Sequence, residues 1–167
     1  MRTIKNLLGL LVGVALLSSC SSSKQTAAGE NGNSCSQLIG YQSQDNSIVI
    51  KSASIVPAGP VPAVPYQRPY AGTLASYCRV DGVIDERIGE GGKPYAIGFA
   101  IAMPEKWNGR FMMQGGGGLN GSVATPLGSN AAGDMTGLQR GFAVVTTDTG
   151  HQGTHGFDAS FFSDQEA

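Results

Sequence analysis

The sequence contains few charged residues, and the two signs nearly cancel. Of its 167 residues, 14% are charged and the formal net charge is −1, so the chain lacks the basic field by which proteins bind nucleic acid. The apolar run at residues 7–17 is too short to span a bilayer. Glycine is abundant instead, and the 25 glycines together with the low charge predict a loop-rich or β-rich globular body.

The amino terminus carries an export signal. Arg2 and Lys5 precede the apolar run, and the sequence LSSC at residues 17–20 resembles a bacterial lipobox. We predict a lipoprotein signal peptide over residues 1–19 and lipidation of Cys20, which would anchor the protein to a membrane. Ser21 in the next position favours the outer membrane. The alternative is an ordinary cleaved signal peptide with Cys20 incidental, which would release the protein into the periplasm or outside the cell.

The composition changes sharply around residue 35. Residues 20–34 are rich in serine, glycine, alanine, asparagine and glutamine, which predicts a flexible tether that cannot bury a core. Residues 35–167 are predicted to fold as the domain. Besides Cys20 the chain contains Cys35 and Cys78, an even number for an exported protein. We predict a disulfide bond between them, with two free thiols as the less common alternative.

Alternating apolar residues predict strands in the first half of the domain. Residues 48–56 form one strand candidate, and residues 78–84 and 95–103 form an antiparallel pair joined by a turn at residues 90–93. Residues 57–69 contain five prolines, which exclude a helix or a central strand there. Trp107 is the only tryptophan, and we predict that it is buried at the foot of the next strand.

A fourth strand candidate, residues 107–114, runs directly into four glycines at residues 115–118, and Asn120 and Gly121 follow. Glycine lets backbone N–H groups approach a ligand without side chains in the way. One ligand that fits is a developing oxyanion, as at the HGGG-like loop of α/β-hydrolases. The glycine-rich segment is therefore a candidate oxyanion hole.

Two other interpretations of the glycines remain open. The pattern G-x-G-x-x-G at residues 116–121, with Asp148 after the next strand candidate, matches a dinucleotide-binding loop. That interpretation requires a helix directly after the glycines, whereas residues 119–128 contain too many helix breakers and predict a loop. A flexible glycine linker is the other interpretation, and the apolar segments on both sides weaken it.

The second half of the domain predicts one helix and one strand. Residues 129–140 are predicted to form a short helix, with Ser129 or Asn130 as its cap. Residues 142–147 are predicted to form a buried strand. Strand, glycine loop, helix and strand in this order predict a right-handed βαβ unit, the beginning of a parallel sheet.

Asp148, His151 and His155 follow this strand, and together they raise the possibility of a metal site. Small and polar residues around them indicate a loop, so the two histidines do not share one helical face. We predict no metal and no cofactor, and assign Asp148 and His151 to a hydrogen-bonded structural pair near the site. Neither histidine is expected to be the catalytic base, because the base comes last in chain order in α/β-hydrolases.

The runs at residues 103–111, 115–121 and 143–151 resemble the tannase and feruloyl esterase family, which also contains the esterase acting on mono-(2-hydroxyethyl) terephthalate. The resemblance covers the chain from about Cys35 to its end. It implies a secreted or lipid-anchored serine esterase with an α/β-hydrolase core and a large inserted lid, and a structural disulfide near the amino terminus. It also implies that the backbone N–H of Gly118 lies in the oxyanion hole, within a loop shaped by Gly115, Gly116, Gly117, Asn120 and Gly121.

The expected fold is the N-terminal part of an α/β-hydrolase core, an antiparallel β segment leading into a βαβ unit. No Gly-x-Ser-x-Gly and no Cys-Ser pair follows Phe142, so we expect the nucleophile, acid, base and lid beyond Ala167 and this chain to be inactive alone. The resemblance implies that the whole protein hydrolyses small aromatic-acid esters, of feruloyl or galloyl type, through an acyl-serine intermediate. The alternative is a non-catalytic envelope lipoprotein that binds a small ligand at its glycine loop.

Overall fold

The computed structural model describes residues 31–64, 69–129, 131, 133–150, 152–153 and 162. Two 3-10 helices, Glu90–Gly92 and Leu138–Arg140, accompany the regular elements, which in chain order are α1 (Asn31–Ser36), β1 (Ile48–Val56), β2 (Gly59–Pro60), β3 (Thr73–Leu74), β4 (Tyr77–Ile88), β5 (Pro94–Pro104), β6 (Phe111–Gln114) and β7 (Ala143–Thr147). Helix α1 overlaps the end of the predicted tether. The predicted signal peptide and Cys20 lie outside the described residues. Within the described ranges, no helix has the length and apolarity needed to cross a membrane.

A mixed five-stranded sheet forms the body of the domain. Its strand order is β1-β4-β5-β7-β6, and a separate two-stranded ladder joins β2 to β3. Strands β1, β4, β5 and β7 are antiparallel to their neighbours in that order, which confirms the predicted antiparallel segment. Strand β6 pairs with β7 in parallel. The sheet therefore changes from antiparallel to parallel pairing at β7.

Strand β5 shows how the alternating sequence covers both faces of the sheet. Ala100 and Ala102 are fully buried on one face, where Leu127 and Leu138 from the β6–β7 connection belong to the same apolar cluster as Ala102. Phe99 lies on the other face, in a second cluster. Side chains of this second cluster also line an open depression on the same face, and its lining is almost entirely apolar. The connection between β6 and β7 thus closes one face, and the described residues leave part of the other open.

The predicted disulfide is confirmed. Cys35 and Cys78 are bonded, with 5.7 Å between their Cα atoms, and the bond joins α1 to the beginning of β4. Cys35 is buried in the second cluster together with Ile50 and Val80. The bond therefore fastens the amino-terminal end of the described domain to the sheet.

The predicted helix at residues 129–140 is wrong. Among its described residues only Leu138–Arg140 are helical, in a single 3-10 turn. Gly133 has a left-handed φ of 94°, which ends any helix begun upstream. A capping box begins this turn. The Gln139 N–H donates to Thr136 Oγ1 (3.1 Å), and the Thr136 N–H donates to Gln139 Oε1 (2.8 Å). The parallel pair of the predicted βαβ unit is present, but a loop replaces its helix.

The predicted burial of Trp107 is also wrong, since 60% of its surface is exposed. Strand β6 begins only at Phe111, so Trp107 lies in the preceding turn, where Gly109 has a φ of 80°. Its indole N–H donates to the Arg110 carbonyl oxygen at 2.8 Å. Trp107 therefore stabilises a surface turn through this hydrogen bond and is not part of the hydrophobic core.

Candidate functional site

The carboxyl ends of β6 and β7 lie side by side at one edge of the sheet. The two strands are in parallel register from Phe111 opposite Ala143 to Gln114 opposite Thr146. The glycine loop therefore leaves the sheet next to the point where Asp148 follows β7. Open α/β sheets bind ligands at this edge. Residues 119–128 form no helix, so the helix that the dinucleotide interpretation requires is absent from this described segment.

The glycine loop presents backbone N–H groups to solvent. Residues 115–118 are exposed, and Gly118 adopts a left-handed φ of 64° that favours glycine. Within the described part of the chain, the N–H groups of Gly116, Gly117 and Gly118 donate to no acceptor. Backbone donors without a protein partner bind water or a ligand. The loop can therefore donate hydrogen bonds to a negatively charged oxygen atom.

Asn120 fastens this loop to the end of β7. Its side-chain Nδ2 donates to the Thr147 carbonyl oxygen at 2.7 Å, and its backbone N–H donates to the Gly117 carbonyl oxygen at 3.1 Å. Gly121 continues the connection, because its N–H donates to the Asp148 carbonyl oxygen at 3.2 Å. The Asn-Gly pair therefore closes the loop against the neighbouring strand.

Asp148 organises the end of β7 from a buried position, with only 1% of its surface exposed. Its Oδ1 accepts hydrogen bonds from the backbone N–H groups of Gly98 (2.9 Å) and Gly150 (3.0 Å). These bonds give the carboxylate a structural role in the described site. His151 and His155 lie outside the described residues, so the predicted pairing of Asp148 with His151 stays a prediction. The described residues contain no cluster of three side chains able to hold a metal ion.

Gln114 is a site residue that the sequence analysis did not identify. It is the last residue of β6 and is buried, and its Oε1 accepts from the N–H groups of Gly128 (2.7 Å) and Ser129 (3.2 Å). Its Nε2 donates to the Thr125 carbonyl oxygen at 3.1 Å. A long polar side chain at the end of an apolar strand was the available signal. Gln114 thus holds the returning part of the connection against β6.

Thr149 is a second residue that the sequence pattern did not reveal. Its φ of 64° lies in the left-handed region, which is rare for a β-branched residue. Its hydroxyl donates to the Asp148 carbonyl oxygen at 2.6 Å, and its N–H donates to Thr147 Oγ1 at 3.1 Å. Strained backbone of this kind clusters at functional sites. Here it lies at the same sheet edge as the glycine loop.

Comparison with known proteins identifies the family. A family model described as "Tannase and feruloyl esterase" matches residues 78–167, more than half of the chain. The chain belongs to this family. The match includes both strands of the parallel pair, the glycine loop and Asp148. The mixed sheet with few helices is consistent with part of an α/β-hydrolase fold.

Three similar proteins place the chain within the family. The mono(2-hydroxyethyl) terephthalate hydrolase of Piscinibacter sakaiensis is 46% identical over 82 residues, covering 48% of this chain and 14% of that protein. A probable feruloyl esterase B-2 of Aspergillus flavus is 31% identical over 117 residues, covering 66% of this chain and 20% of that protein. The crystal structure of feruloyl esterase B from Aspergillus oryzae is similar over 82% of this chain and 25% of that one, with 26% identity and a TM-score of 0.55.

The chain therefore spans a quarter or less of the length of these relatives. Within that span it contains the sheet edge with the glycine loop. Its own described residues supply the hydrogen-bond donors of the glycine loop, which Asn120 fastens to the end of β7.

Proposed function

We propose that the protein is a carboxylic ester hydrolase that cleaves small esters of aromatic acids, of feruloyl or galloyl type, through an acyl-serine intermediate. The family match over residues 78–167 is the observation that carries this proposal. Two similar proteins are named as a terephthalate-ester hydrolase and a probable feruloyl esterase, and both names describe esters of aromatic acids. The alternative, a ligand-binding envelope lipoprotein without catalytic activity, has no observation specific to it.

The part of the reaction assigned to this chain is stabilisation of the oxyanion. When a serine attacks the ester carbonyl, negative charge develops on the carbonyl oxygen. A fixed N–H about 3 Å from that oxygen stabilises the transition state more than the ground state. The N–H of Gly118 is our candidate, because it lies in an exposed left-handed loop at the sheet edge and donates to no acceptor among the described residues. In α/β-hydrolases a second donor comes from the residue after the nucleophile.

The nucleophile, acid, base and lid are proposed to come from chain beyond Ala167. This sequence contains no Gly-x-Ser-x-Gly, and it spans a small share of its relatives. The open depression on the second face of the sheet exposes apolar side chains among the described residues, and exposed apolar patches mark surfaces that further chain or a ligand covers. Chain outside the described residues would cover that face in the complete enzyme.

Export is the second part of the proposal. The Cys35–Cys78 disulfide supports an oxidising compartment, and the sequence of residues 1–20 predicts lipidation of Cys20. If the anchor exists, the wild-type protein incorporates radiolabelled palmitate and sediments with membranes, whereas Cys20→Ala does neither. Palmitate-free wild-type protein would refute the anchor and leave the esterase proposal unaffected.

The activity is tested with the full-length protein. Methyl ferulate, propyl gallate and mono(2-hydroxyethyl) terephthalate serve as aromatic substrates, and an aliphatic acyl ester of similar alcohol serves as the control. We expect faster turnover of at least one aromatic ester, and covalent labelling by a fluorophosphonate of a single serine beyond residue 167. Absence of both ester hydrolysis and serine labelling would end the esterase proposal.

The oxyanion assignment is tested by replacing the amide between Gly117 and Gly118 with an ester. Removing one oxyanion donor costs about a hundredfold or more in kcat. A proline at residue 118 would be less informative, because its φ near −65° would also displace a backbone that has a φ of 64°. The matched control is the ester between Gly116 and Gly117, which removes the neighbouring N–H. If the Gly118 ester keeps wild-type kcat, the donor is another group.

The ester at Gly118 also weakens the Gly117 carbonyl oxygen, which accepts the Asn120 N–H. Exchange of the Asn120 N–H is therefore altered directly, so exchange of the Gly121 N–H, which donates to the Asp148 carbonyl oxygen, checks that the loop is intact in the modified protein. Unchanged exchange with a large fall in kcat is the expected result.

A further inference from the structure

We propose that Asn120 is a positioning residue that fixes the oxyanion loop relative to β7, and that it acts on the reaction through the glycines and not by contact with substrate. The inference rests on the proposed esterase function. Three features of the loop carry it: the polar anchor of the side chain, the left-handed backbone at Asn120, and the way its carboxamide fills the space beside Gly116.

The first feature is the anchor across the sheet edge. Asn120 Nδ2 donates to the carbonyl oxygen of Thr147, the last residue of β7, at 2.7 Å. The backbone N–H of Asn120 also donates to the Gly117 carbonyl oxygen. One residue therefore connects the turn of the loop, next to Gly118, to a strand inside the sheet. Without the side chain the loop would lose this bond, while the bond from the Gly121 N–H to the Asp148 carbonyl oxygen would remain.

The second feature is the conformation at Asn120. Its φ is 51°, in the left-handed region that glycine and asparagine tolerate and that most residues avoid. A glycine would keep this backbone but lose the anchor, whereas an aspartate would keep the shape but replace the Nδ2 donor with a negatively charged oxygen beside the Thr147 carbonyl oxygen. The position therefore offers substitutions that separate backbone conformation from anchoring.

The third feature is the packing of the carboxamide against Gly116. A Cβ atom at residue 116 would lie 2.2 Å from Asn120 Oδ1 and 2.3 Å from Asn120 Cγ. A side chain at residue 116 and the anchored Asn120 side chain therefore cannot both be present without displacement. Glycine at residue 116 therefore leaves room for the Asn120 side chain, although φ at this residue does not itself favour glycine.

Oxyanion donors are effective because they are held in place before the charge develops. A misplacement of about 1 Å in an active site can cost about a hundredfold in rate. Loss of the anchor frees the loop to sample such displacements, and an oxyanion donor stabilises the transition state more than the bound substrate. The effect of Asn120 is therefore expected on kcat and not on KM.

The test compares four variants of the full-length protein: Asn120→Gly, Asn120→Asp, Gly116→Ala and the double variant Asn120→Gly/Gly116→Ala. We expect each single variant to lower kcat by about 10- to 100-fold with KM changed by less than about threefold. In the double variant the Asn120 carboxamide, with which a Cβ at residue 116 clashes, is absent. Its kcat should therefore be almost the same as that of Asn120→Gly alone. Asn46→Gly is the matched control, because Asn46 is an exposed asparagine with a φ of 58° in the turn before β1, outside the glycine loop.

A second measurement separates this inference from the proposed function. Amide hydrogen exchange across residues 115–121 reports the order of the loop whether or not the protein is active. We expect faster exchange at the Gly121 N–H in Asn120→Gly than in wild type, and no change in Asn46→Gly.

If the wild-type protein hydrolyses no ester, the function fails, and the exchange data still decide whether Asn120 orders the loop. If wild-type protein is active and Asn120→Gly keeps its kcat, or if the effects of the two substitutions simply multiply, the positioning role is wrong. A fall in kcat for the uncharged variant Asn120→Gly, with unchanged thermal stability, supports it against general misfolding.

Discussion

Gly98 of β5 contacts the Asp148 carboxylate at the end of β7, and replacing this glycine with alanine tests that contact. A Cβ atom at this position would lie 2.6 Å from Asp148 Oδ2 and 3.1 Å from Val123 Cγ2. Overpacking of this kind costs about 1–3 kcal/mol, and displacing the carboxylate weakens charged hydrogen bonds worth about 1.5–3 kcal/mol. The lower backbone entropy of the unfolded alanine variant offsets about 0.5–1 kcal/mol. We expect Gly98→Ala to lower the free energy of unfolding by about 2–4 kcal/mol.

The measurement is urea denaturation with the disulfide intact, followed by circular dichroism. Gly59→Ala is the control, because a Cβ atom there meets nothing within 4 Å, and its stability should change by about 0.5 kcal/mol or less. The double variant with Asp148→Ala identifies the cause, since Gly98→Ala should cost less once the carboxylate is absent. The reasoning is refuted if Gly98→Ala matches the control, or if its cost is the same with and without Asp148.

Two further predictions concern the disulfide and an exposed carboxylate. Cys78→Ser opens a bridge with a sequence separation of 43 residues, which should lower the free energy of unfolding by about 4 kcal/mol in thermal or urea unfolding; a loss below about 1 kcal/mol would contradict this. Hydrogen bonds from the Ser43 hydroxyl and from Ser47 lower the pKa of Asp45 from 3.8 to about 2. Because the folded pKa is depressed, this contribution to stability is present above pH 4 and is lost as the pH falls towards 2. NMR titration of the Asp45 carboxyl should find a midpoint near 2, and this midpoint should rise in Ser43→Ala. A wild-type midpoint near 3.8 would contradict the lowered pKa.

The sequence predicted the strands well because their signals are local. In β5 the small residues Ala100 and Ala102 alternate with large apolar residues, and this period alone defines two faces. The glycines and the helix breakers after them likewise predicted the loop at residues 119–128 correctly. The pairing of Cys35 with Cys78 followed from an even cysteine count and the family resemblance.

The remaining features depend on contacts between distant residues. The burial predicted for Trp107 was wrong because the beginning of β6 is set by pairing with Ala143, which no local pattern records. The helix predicted at residues 129–140 ignored a nearer signal, the Thr136-x-x-Gln139 capping box. The role of Gln114 depends on backbone groups at least 11 residues away. These features could be recognised only once the chain was folded.

Among the described residues that connect β6 to β7 there is no α-helix, and this bears on how the site works. In a βαβ unit, packing of the helix on the sheet holds the loop that precedes it. Here the described connection is instead held by polar side chains, Gln114 at its beginning and Asn120 after the glycines. Such bonds fix the loop at a few points and leave the N–H groups of residues 116–118 without protein acceptors in the described structure. A loop held in this way keeps its donors available for an oxyanion, and its precision depends on single side chains that mutation can remove one at a time.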